Sequence, residues 1–243
     1  MAKDIDFFFF IGGTYTYLTV MRIEGVVADV GVQVRWRPFN VRQIMIEQYN
    51  IPFCRKPEKM RYMWRDVQRR AERYDILFTN EPPYPVDQDN LANRVGVLAA
   101  EEGWCASYAK ATYRDWFVKG RAPGDLQRLT NILVDLDKDP AAVLNRANGS
   151  AARAKYDAET ETARSLGIFG SPTFVIGSEI FWGDDRLEDA LDWLRRSSNT
   201  KSPTTKVRSR SKDRSPDLAR PTVRRSIIPA IVRTCQCPFA SRA

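Results

Sequence analysis

The stretch that decides the fold lies near the start of the chain and reads DFFFFIGGTYTYL (residues 6–18). Its first half is apolar on both faces, as is typical of a strand buried in the middle of a sheet. Gly12-Gly13 ends this strand, and a helical pattern follows over residues 14–30. A second strand pattern covers residues 32–39. The order strand, helix, strand favours parallel pairing of the two strands.

A series of helical patterns without a strand signal occupies the middle of the chain. Apolar side chains between residues 60 and 74 recur at intervals of three and four, which predicts an amphipathic helix. The proline-rich stretch 81–85 ends that helix. Further helical patterns cover residues 90–102, 104–119, 125–136, 140–147 and 150–166. We interpret residues 41–166 as an all-helical insertion.

Strand patterns return after the insertion. Residues 173–176 and 179–182 are separated by Gly177-Ser178, which is the spacing of a tight hairpin. A last helix is expected from about Asp185. The chain is therefore predicted to be an α/β protein whose sheet is built from two separated segments. These segments are residues 1–40 and 167–196.

Charge is unevenly distributed along the chain. The net charge is +8, but residues 197–243 alone contain eleven Lys and Arg against two acidic residues. This stretch is rich in Ser, Thr and Pro and cannot bury enough apolar surface to offset its ordering entropy. We predict a basic disordered tail over residues 197–243. It lacks base-reading motifs and interleaved aromatic residues, so we do not expect a nucleic-acid partner.

Two absences restrict the chemistry. The chain contains no histidine, which excludes Ser-His-Asp triads, Cys-His pairs and imidazole-bearing zinc sites. Its four cysteines form no Cys-x-x-Cys pair, so we expect neither a dithiol redox centre nor a bound metal. The first apolar run is too short to span a bilayer and follows no basic segment. We therefore expect a cytoplasmic protein that has no membrane partner.

Two separated stretches point to one binding site. The helix that starts near Thr14 presents unpaired N–H groups and the positive end of its dipole, which suit an anion or a thiolate. The dipeptide Ser171-Pro172 stands immediately before the returning strand. A residue before proline favours extended geometry, so the backbone of Ser171 is suited to an extended ligand.

Several spaced motifs occur in order: DFFF (6–9), GTYTYL (13–18), WRPF (36–39), GIFGSPTF (167–174) and FWGDDRL (181–187). On these motifs the chain resembles the 2-hydroxychromene-2-carboxylate isomerase family, which is close to kappa-class glutathione transferases. The resemblance spans residues 6 to about 194. It implies an α/β, thioredoxin-like (DsbA-type) fold with a large helical insertion between the β-α-β and β-β-α halves.

The resemblance implies glutathione as the cofactor and a thiol-binding position after the first strand. In the family this position is a serine that hydrogen-bonds the sulfur. Here it is Gly13, which has no hydroxyl group. Thr14 and Thr16 carry the nearest hydroxyl groups and are the candidates to replace it, although neither occupies the family's position.

The resemblance also implies the residues that bind the rest of glutathione. Pro172 follows a cis peptide bond, and the backbone of Ser171 pairs with the glutathione peptide. Asp184 and Asp185 hold the γ-glutamyl end. A polar residue near the start of the long helix falls at about Arg55, where relatives often have asparagine.

The implied activity is glutathione-dependent isomerisation of 2-hydroxychromene-2-carboxylate or a related aromatic-degradation intermediate, by reversible thiolate addition and rotation about a C=C bond. We expect Arg55 or Lys59 to bind the carboxylate of this small aromatic substrate. Five aromatic residues are expected to form its apolar slot: Phe8, Phe10, Tyr15, Tyr17 and Trp182.

Alternatives stay open at this point. Because Gly13 lacks the hydroxyl group, the chain could be a kappa-like glutathione transferase or oxidoreductase, or a non-catalytic glutathione- or partner-binding protein. Several candidate residues also have purely structural interpretations: Gly12-Gly13 as a tight turn, Tyr15 and Tyr17 as core, and Asp184 with Asp185 as helix caps. The sequence is also compatible with a homodimer.

Overall fold

The computed structural model describes residues 3–50, 53, 56–79 and 81–199. The predicted ligand residue Arg55 lies outside these ranges. Of the predicted tail, residues 200–243 also lie outside them. The first residues of that predicted tail, 197–199, belong instead to the last helix, which runs to Asn199.

The described strands form one mixed sheet with the order β2-β1-β3-β4. As predicted, β1 pairs in parallel with β2, while β3 is antiparallel to both β1 and β4. Phe7 is the central residue, opposite Trp36 on one side and Phe174 on the other. The strand bounds are β1 (Lys3–Phe9), β2 (Val32–Pro38), β3 (Thr173–Ile176) and β4 (Glu179–Trp182).

Helices supply the rest of the regular structure in the described residues. Helix α1 connects β1 to β2, a 3₁₀ turn (Asp184–Arg186) follows β4, and α9 comes last. The helices are α1 (Thr14–Ala28), α2 (Val41–Glu47), α3 (Pro57–Arg73), α4 (Leu91–Glu101), α5 (Cys105–Phe117), α6 (Leu126–Asp135), α7 (Pro140–Asn148), α8 (Ser150–Ser165) and α9 (Leu187–Asn199). Helices α2 to α8 all lie between β2 and β3 in sequence, which confirms the predicted order of elements.

The alternation of side chains along β1 separates two hydrophobic clusters. Phe7 and Phe9 belong to the larger cluster, which also contains side chains of α1, α3, α4 and α5. Phe8 and Phe10 belong to a smaller cluster with Phe39. Because both faces of β1 are covered, its run of phenylalanines is explained by burial. The domain boundaries at residues 40 and 167 stay a prediction.

None of the helices that the described residues form is both long enough and apolar enough to cross a lipid bilayer.

Candidate active site

The turn between β1 and α1 leaves the start of α1 without a side-chain cap. The Gly13 N–H donates to the Phe10 carbonyl at 2.9 Å, and α1 begins at Thr14. No side chain caps the helix at Gly13, and its first turn contains no acidic residue. The first N–H groups of a helix have no carbonyl partner within it. This end of α1 therefore has the electrostatic character of an anion site.

Side chains from distant elements hold the backbone of this turn. Ser171 Oγ accepts the Phe10 N–H at 3.1 Å, and the Tyr113 hydroxyl donates to the Phe10 carbonyl at 2.8 Å. Asn93 binds both backbone polar groups of Ile11. Its Oδ1 accepts the Ile11 N–H at 2.8 Å, and its Nδ2 donates to the Ile11 carbonyl at 3.0 Å. All four backbone polar groups of Phe10 and Ile11 are thus paired.

Behind Asn93 lies a second buried polar group, Asp87. Its carboxylate accepts the Asn93 Nδ2 at 2.6 Å and the Ala92 N–H at 3.0 Å. Asp87 and Asn93 are 5% and 0% exposed. Burial raises the pKa of Asp87, and the hydrogen bonds from Ala92 and Asn93 act against that rise. Because Nδ2 donates to two acceptors, the orientation of the Asn93 amide is fixed.

The structure brings together two of the sequence-predicted stretches. The Ser171–Pro172 peptide bond is cis, as the resemblance implies. The Ser171 hydroxyl lies 2.9 Å from Thr16 Oγ1, so these residues meet across 155 positions of sequence. Thr16 is fully buried, whereas Thr14 at the start of α1 keeps 6% of its surface exposed.

Gly13 is closely packed, and the reason is Thr16. A β-carbon added at Gly13 would lie 2.5 Å from Thr16 Oγ1 and 3.2 Å from the Phe10 carbonyl oxygen. A side chain therefore cannot be added at residue 13 while the Thr16 hydroxyl keeps its bond to Ser171. The Thr16 hydroxyl therefore leaves no room for a serine at residue 13.

The two predicted γ-glutamyl ligands occupy different environments. Asp184 is only 1% exposed, and its Oδ2 accepts from Arg70 Nε at 3.0 Å and from Arg70 Nη2 at 2.8 Å. The Arg22 guanidinium donates to the Asp184 backbone carbonyl at 2.5 Å. Asp185, in contrast, has an exposed side chain that pairs with Arg186 at 3.1 Å.

The predicted apolar slot is wrong for three of its five residues. Phe8, Phe10 and Tyr17 are between 0% and 3% exposed and lie in the packed clusters, because β1 and the inner face of α1 form the core. Tyr15 and Trp182 remain as candidates for a ligand-facing aromatic surface. Trp182 is 52% exposed. Tyr15 is half-buried, and burial raises the pKa of its hydroxyl.

Other polar residues complete the surroundings of the site. The Tyr15 hydroxyl donates to Asp66 Oδ2 at 2.9 Å, which ties the first turn of α1 to α3. Lys59 is exposed near the start of α3.

Three residues that hold the site were not predicted from the sequence: Asn93, Tyr113 and Arg70. They lie in ordinary helical patterns far from the motifs.

The Trp182 indole packs over Gly170, which precedes the Ser171–Pro172 bond. A β-carbon at Gly170 would lie 2.1 Å from Trp182 Nε1. Gly170→Ala is therefore expected to push the exposed indole outwards, lower the free energy of unfolding by about 1 kcal/mol, and shift tryptophan emission to longer wavelength.

Gly25→Ala is a matched control for this prediction. Gly25 lies in α1, and a β-carbon there meets nothing within 4 Å. The control is expected to leave the emission unchanged and to stabilise the protein by about 0.4–1 kcal/mol. Identical emission spectra for the two variants would contradict the packing of Trp182 on Gly170.

Comparisons with known proteins agree with this architecture. Residues 4–195 match the DSBA-like thioredoxin domain family. The chain is 27% identical over 187 residues to a 2-hydroxychromene-2-carboxylate isomerase of Pseudomonas putida, covering 75% of this chain and 90% of that protein. It is 25% identical over 196 residues to a protein of the same name from Sphingobium xenophagum, covering 80% and 99%.

A solved structure supports the same relationship. The selenomethionine form of 2-hydroxychromene-2-carboxylate isomerase superposes with a TM-score of 0.72 and 26% identity, over 82% of this chain and 100% of that one. The mixed four-stranded sheet with its helices between β2 and β3 is the DsbA-type thioredoxin fold implied by the motifs. The chain belongs to the DSBA-like thioredoxin domain family and is similar to the 2-hydroxychromene-2-carboxylate isomerases.

Proposed function

We propose that this protein is a glutathione-dependent isomerase of 2-hydroxychromene-2-carboxylate or of a related intermediate in aromatic degradation. The observation that carries the proposal is the similarity to proteins of that name, which extends over 86% to 99% of their lengths. The site proposed for this activity is the uncapped start of α1, together with the cis Ser171–Pro172 bond.

The residues present fit a thiol-bearing tripeptide. The uncapped start of α1 supplies N–H groups that stabilise negative charge on sulfur. The backbone of Ser171 lies in the cis-proline loop, next to the turn that carries the exposed Asp185. The aromatic surfaces of Tyr15 and Trp182 are suited to a flat, apolar substrate ring.

When bound, glutathione supplies a thiolate that adds reversibly to the conjugated substrate and lets the exocyclic bond rotate. The chain's own part is electrostatic and steric. The start of α1 keeps the sulfur ionised, and hydrogen bonds with the side chains of Ser171, Asn93 and Tyr113 hold the preceding backbone in place. Because the backbone before α1 is already held in place, it does not have to be ordered during the reaction.

The test is an isomerisation assay with purified protein, using 2-hydroxychromene-2-carboxylate with and without glutathione. We expect turnover that requires glutathione and is inhibited by S-methylglutathione, which carries no free thiol. Absence of isomerisation at saturating glutathione, or turnover that persists at the same rate without it, would overturn the proposal.

A second candidate is favoured by one observation, the glycine at residue 13. A protein that binds glutathione without catalysis has no use for a hydroxyl donor at that place. Calorimetric titration separates the two functions, because a binder gives a heat of glutathione binding and no isomerisation.

A dithiol oxidoreductase is disfavoured by the lack of a Cys-x-x-Cys pair. Cys105, the cysteine in the described part of the chain, is buried, and burial raises its pKa.

A further inference from the structure

A buried aspartate joins three elements at one edge of the candidate site. Asp184 lies in the 3₁₀ turn after β4 with a side chain that is 2% exposed. Arg70 of α3 binds its carboxylate through two nitrogens, at 3.0 Å and 2.8 Å. Arg22 of α1 binds its backbone carbonyl at 2.5 Å. The two arginines therefore hold both the side chain and the main chain of one residue.

The arginines are themselves held in place. The Arg22 guanidinium lies 4.4 Å from the centre of the Tyr74 ring, and that of Arg70 lies 5.9 Å from the same ring. Arg70 Nη2 also contacts the Tyr74 hydroxyl at 3.2 Å, and Arg22 pairs with Glu188. Their geometry is thus fixed by packing as well as by charge.

The turn that Asp184 belongs to is bonded directly to the cis-proline loop. The Gly183 N–H donates to the Pro172 carbonyl at 2.9 Å. The exposed Asp185 follows Asp184 in the same turn. Any displacement of Asp184 therefore moves the turn 183–186 relative to the cis-proline loop.

We propose that Arg70 and Arg22 are positioning residues that fix the turn 183–186 against the cis-proline loop and thereby set the affinity of the site for its ligand. This inference rests on the proposed function, since the ligand used to test it is S-methylglutathione. Arg70 and Arg22 act through Asp184, since Arg70 binds Oδ2 of its carboxylate and Arg22 binds its backbone carbonyl.

The charge state of Asp184 gives the arrangement a pH dependence. Arg22 of α1, Arg70 of α3, Asp185 of the same turn and Tyr15 of α1 surround the carboxyl group. Burial raises the pKa of Asp184 to about 6 from an ordinary value of 3.8, although both arginines act to lower it. At neutral pH the group is ionised and binds Arg70. As the pH falls through about 6 it gains a proton, and the charge-assisted bond to Arg70 is lost.

Protonation of Asp184 is expected to change ligand affinity and protein stability in opposite directions. Because the folded pKa lies above the ordinary value, the folded protein takes up a proton between pH 6 and pH 4 that the unfolded chain does not. The contribution of Asp184 to the free energy of unfolding therefore increases as the pH falls. Glutathione affinity is expected to decrease over the same range. A protein that merely unfolded in acid would lose both.

The experiment measures binding by calorimetry between pH 5 and pH 7 with S-methylglutathione in place of glutathione. It has no thiol to titrate, and its carboxyl and amino groups keep their charge state across this range. We expect the affinity of the unchanged protein to fall about 10-fold across this range, with a midpoint near pH 6. Asp184→Asn is expected to bind about 10-fold more weakly at pH 7 and to show no such dependence. Arg70→Gln should behave in the same way, with Arg70→Lys partly restoring affinity.

Arg61→Gln is the matched control. Arg61 lies on the same helix as Arg70, is 76% exposed and pairs with the exposed Glu58 at 3.4 Å. Its removal is expected to leave the affinity and its pH dependence unchanged. Wild-type affinity in Asp184→Asn at pH 7, or an equal loss in Arg61→Gln, would overturn the inference.

Hydrogen exchange separates failure of this inference from failure of the proposed function. The Gly183 amide, bonded to Pro172, is expected to exchange faster in Asp184→Asn than in the unchanged protein at pH 7, with no ligand present. If glutathione does not bind at all but exchange accelerates, the proposed function fails and the positioning role stands. Unchanged exchange would overturn the positioning role.

Discussion

A Gly13→Ser protein is expected to be less stable than the unchanged protein by about 1–3 kcal/mol, the usual range for overpacking a filled site. The added β-carbon would lie 2.5 Å from Thr16 Oγ1, which is buried and bonded to Ser171. Introducing the serine that the resemblance implies at residue 13 therefore disturbs the hydrogen bond between Thr16 and Ser171. Thermal and urea unfolding measure the loss.

The remedy is a second substitution that removes the obstructing hydroxyl group. In Gly13→Ser/Thr16→Ala the nearest side-chain atom would be the β-carbon of residue 16, at 3.2 Å, which requires a shift of only a few tenths of an ångström. We expect the double variant to be more stable than the sum of the two single variants predicts, by at least about 1 kcal/mol. Additive losses would contradict the steric link.

The same pair tests catalysis. A hydroxyl donor to a thiolate contributes about 1.5–3 kcal/mol, which corresponds to roughly 10- to 100-fold in rate. The double variant is therefore expected to isomerise faster than the unchanged protein by that factor, while Thr16→Ala alone gains nothing. A double variant that is folded, binds glutathione and remains as slow as its parent would favour the non-catalytic binder.

Asn93→Ala is expected to have the largest effect on stability, about 3–5 kcal/mol. The substitution leaves two buried groups without partners, the Ile11 N–H and the Ile11 carbonyl, and it also removes the Nδ2 donor to Asp87. Each unsatisfied buried polar group costs about 1–3 kcal/mol. Because the affected backbone precedes α1, glutathione affinity should fall together with stability.

Asn131→Ala is the control for this prediction. Asn131 also accepts a side-chain hydrogen bond, from Gln127 at 3.1 Å, but on the exposed face of α6. Its loss is expected to change stability by no more than about 0.5 kcal/mol. Similar losses of stability for the two variants would show that the hydrogen bonds between Asn93 and the Ile11 backbone contribute no more than an exposed hydrogen bond does.

Sequence patterns predicted the fold well because its elements carry their own signals. The parallel β1–β2 pair, the helices between residues 57 and 165 and the β3–β4 hairpin are confirmed. Helix α2 was missed, since its seven residues are too short for a clear period and depend on the Asn40 cap. Strand β1 also ends at Phe9, earlier than predicted, because Phe10 already closes the turn with Gly13.

Parts of the candidate site could be predicted from the sequence. The start of α1 follows from the strand-to-helix pattern, and the cis Ser171–Pro172 bond was implied by the resemblance; the structure brings Thr16 and Ser171 together. Asn93 could not be found this way, because an asparagine in an apolar helix gives no sign of a partner 82 positions away. Sequence also does not show that Arg70 binds Oδ2 of Asp184, and the ligand role of Asp184 stays a prediction.

The bonds that hold Phe10 and Ile11 have a practical consequence for protein engineering. The side chains that make these bonds, those of Ser171, Asn93 and Tyr113, are all remote in sequence from the turn itself. Thr14, the first residue of α1, takes part in none of them. A library randomised at this codon would therefore vary the first residue of α1 while the side-chain bonds to Phe10 and Ile11 remain available.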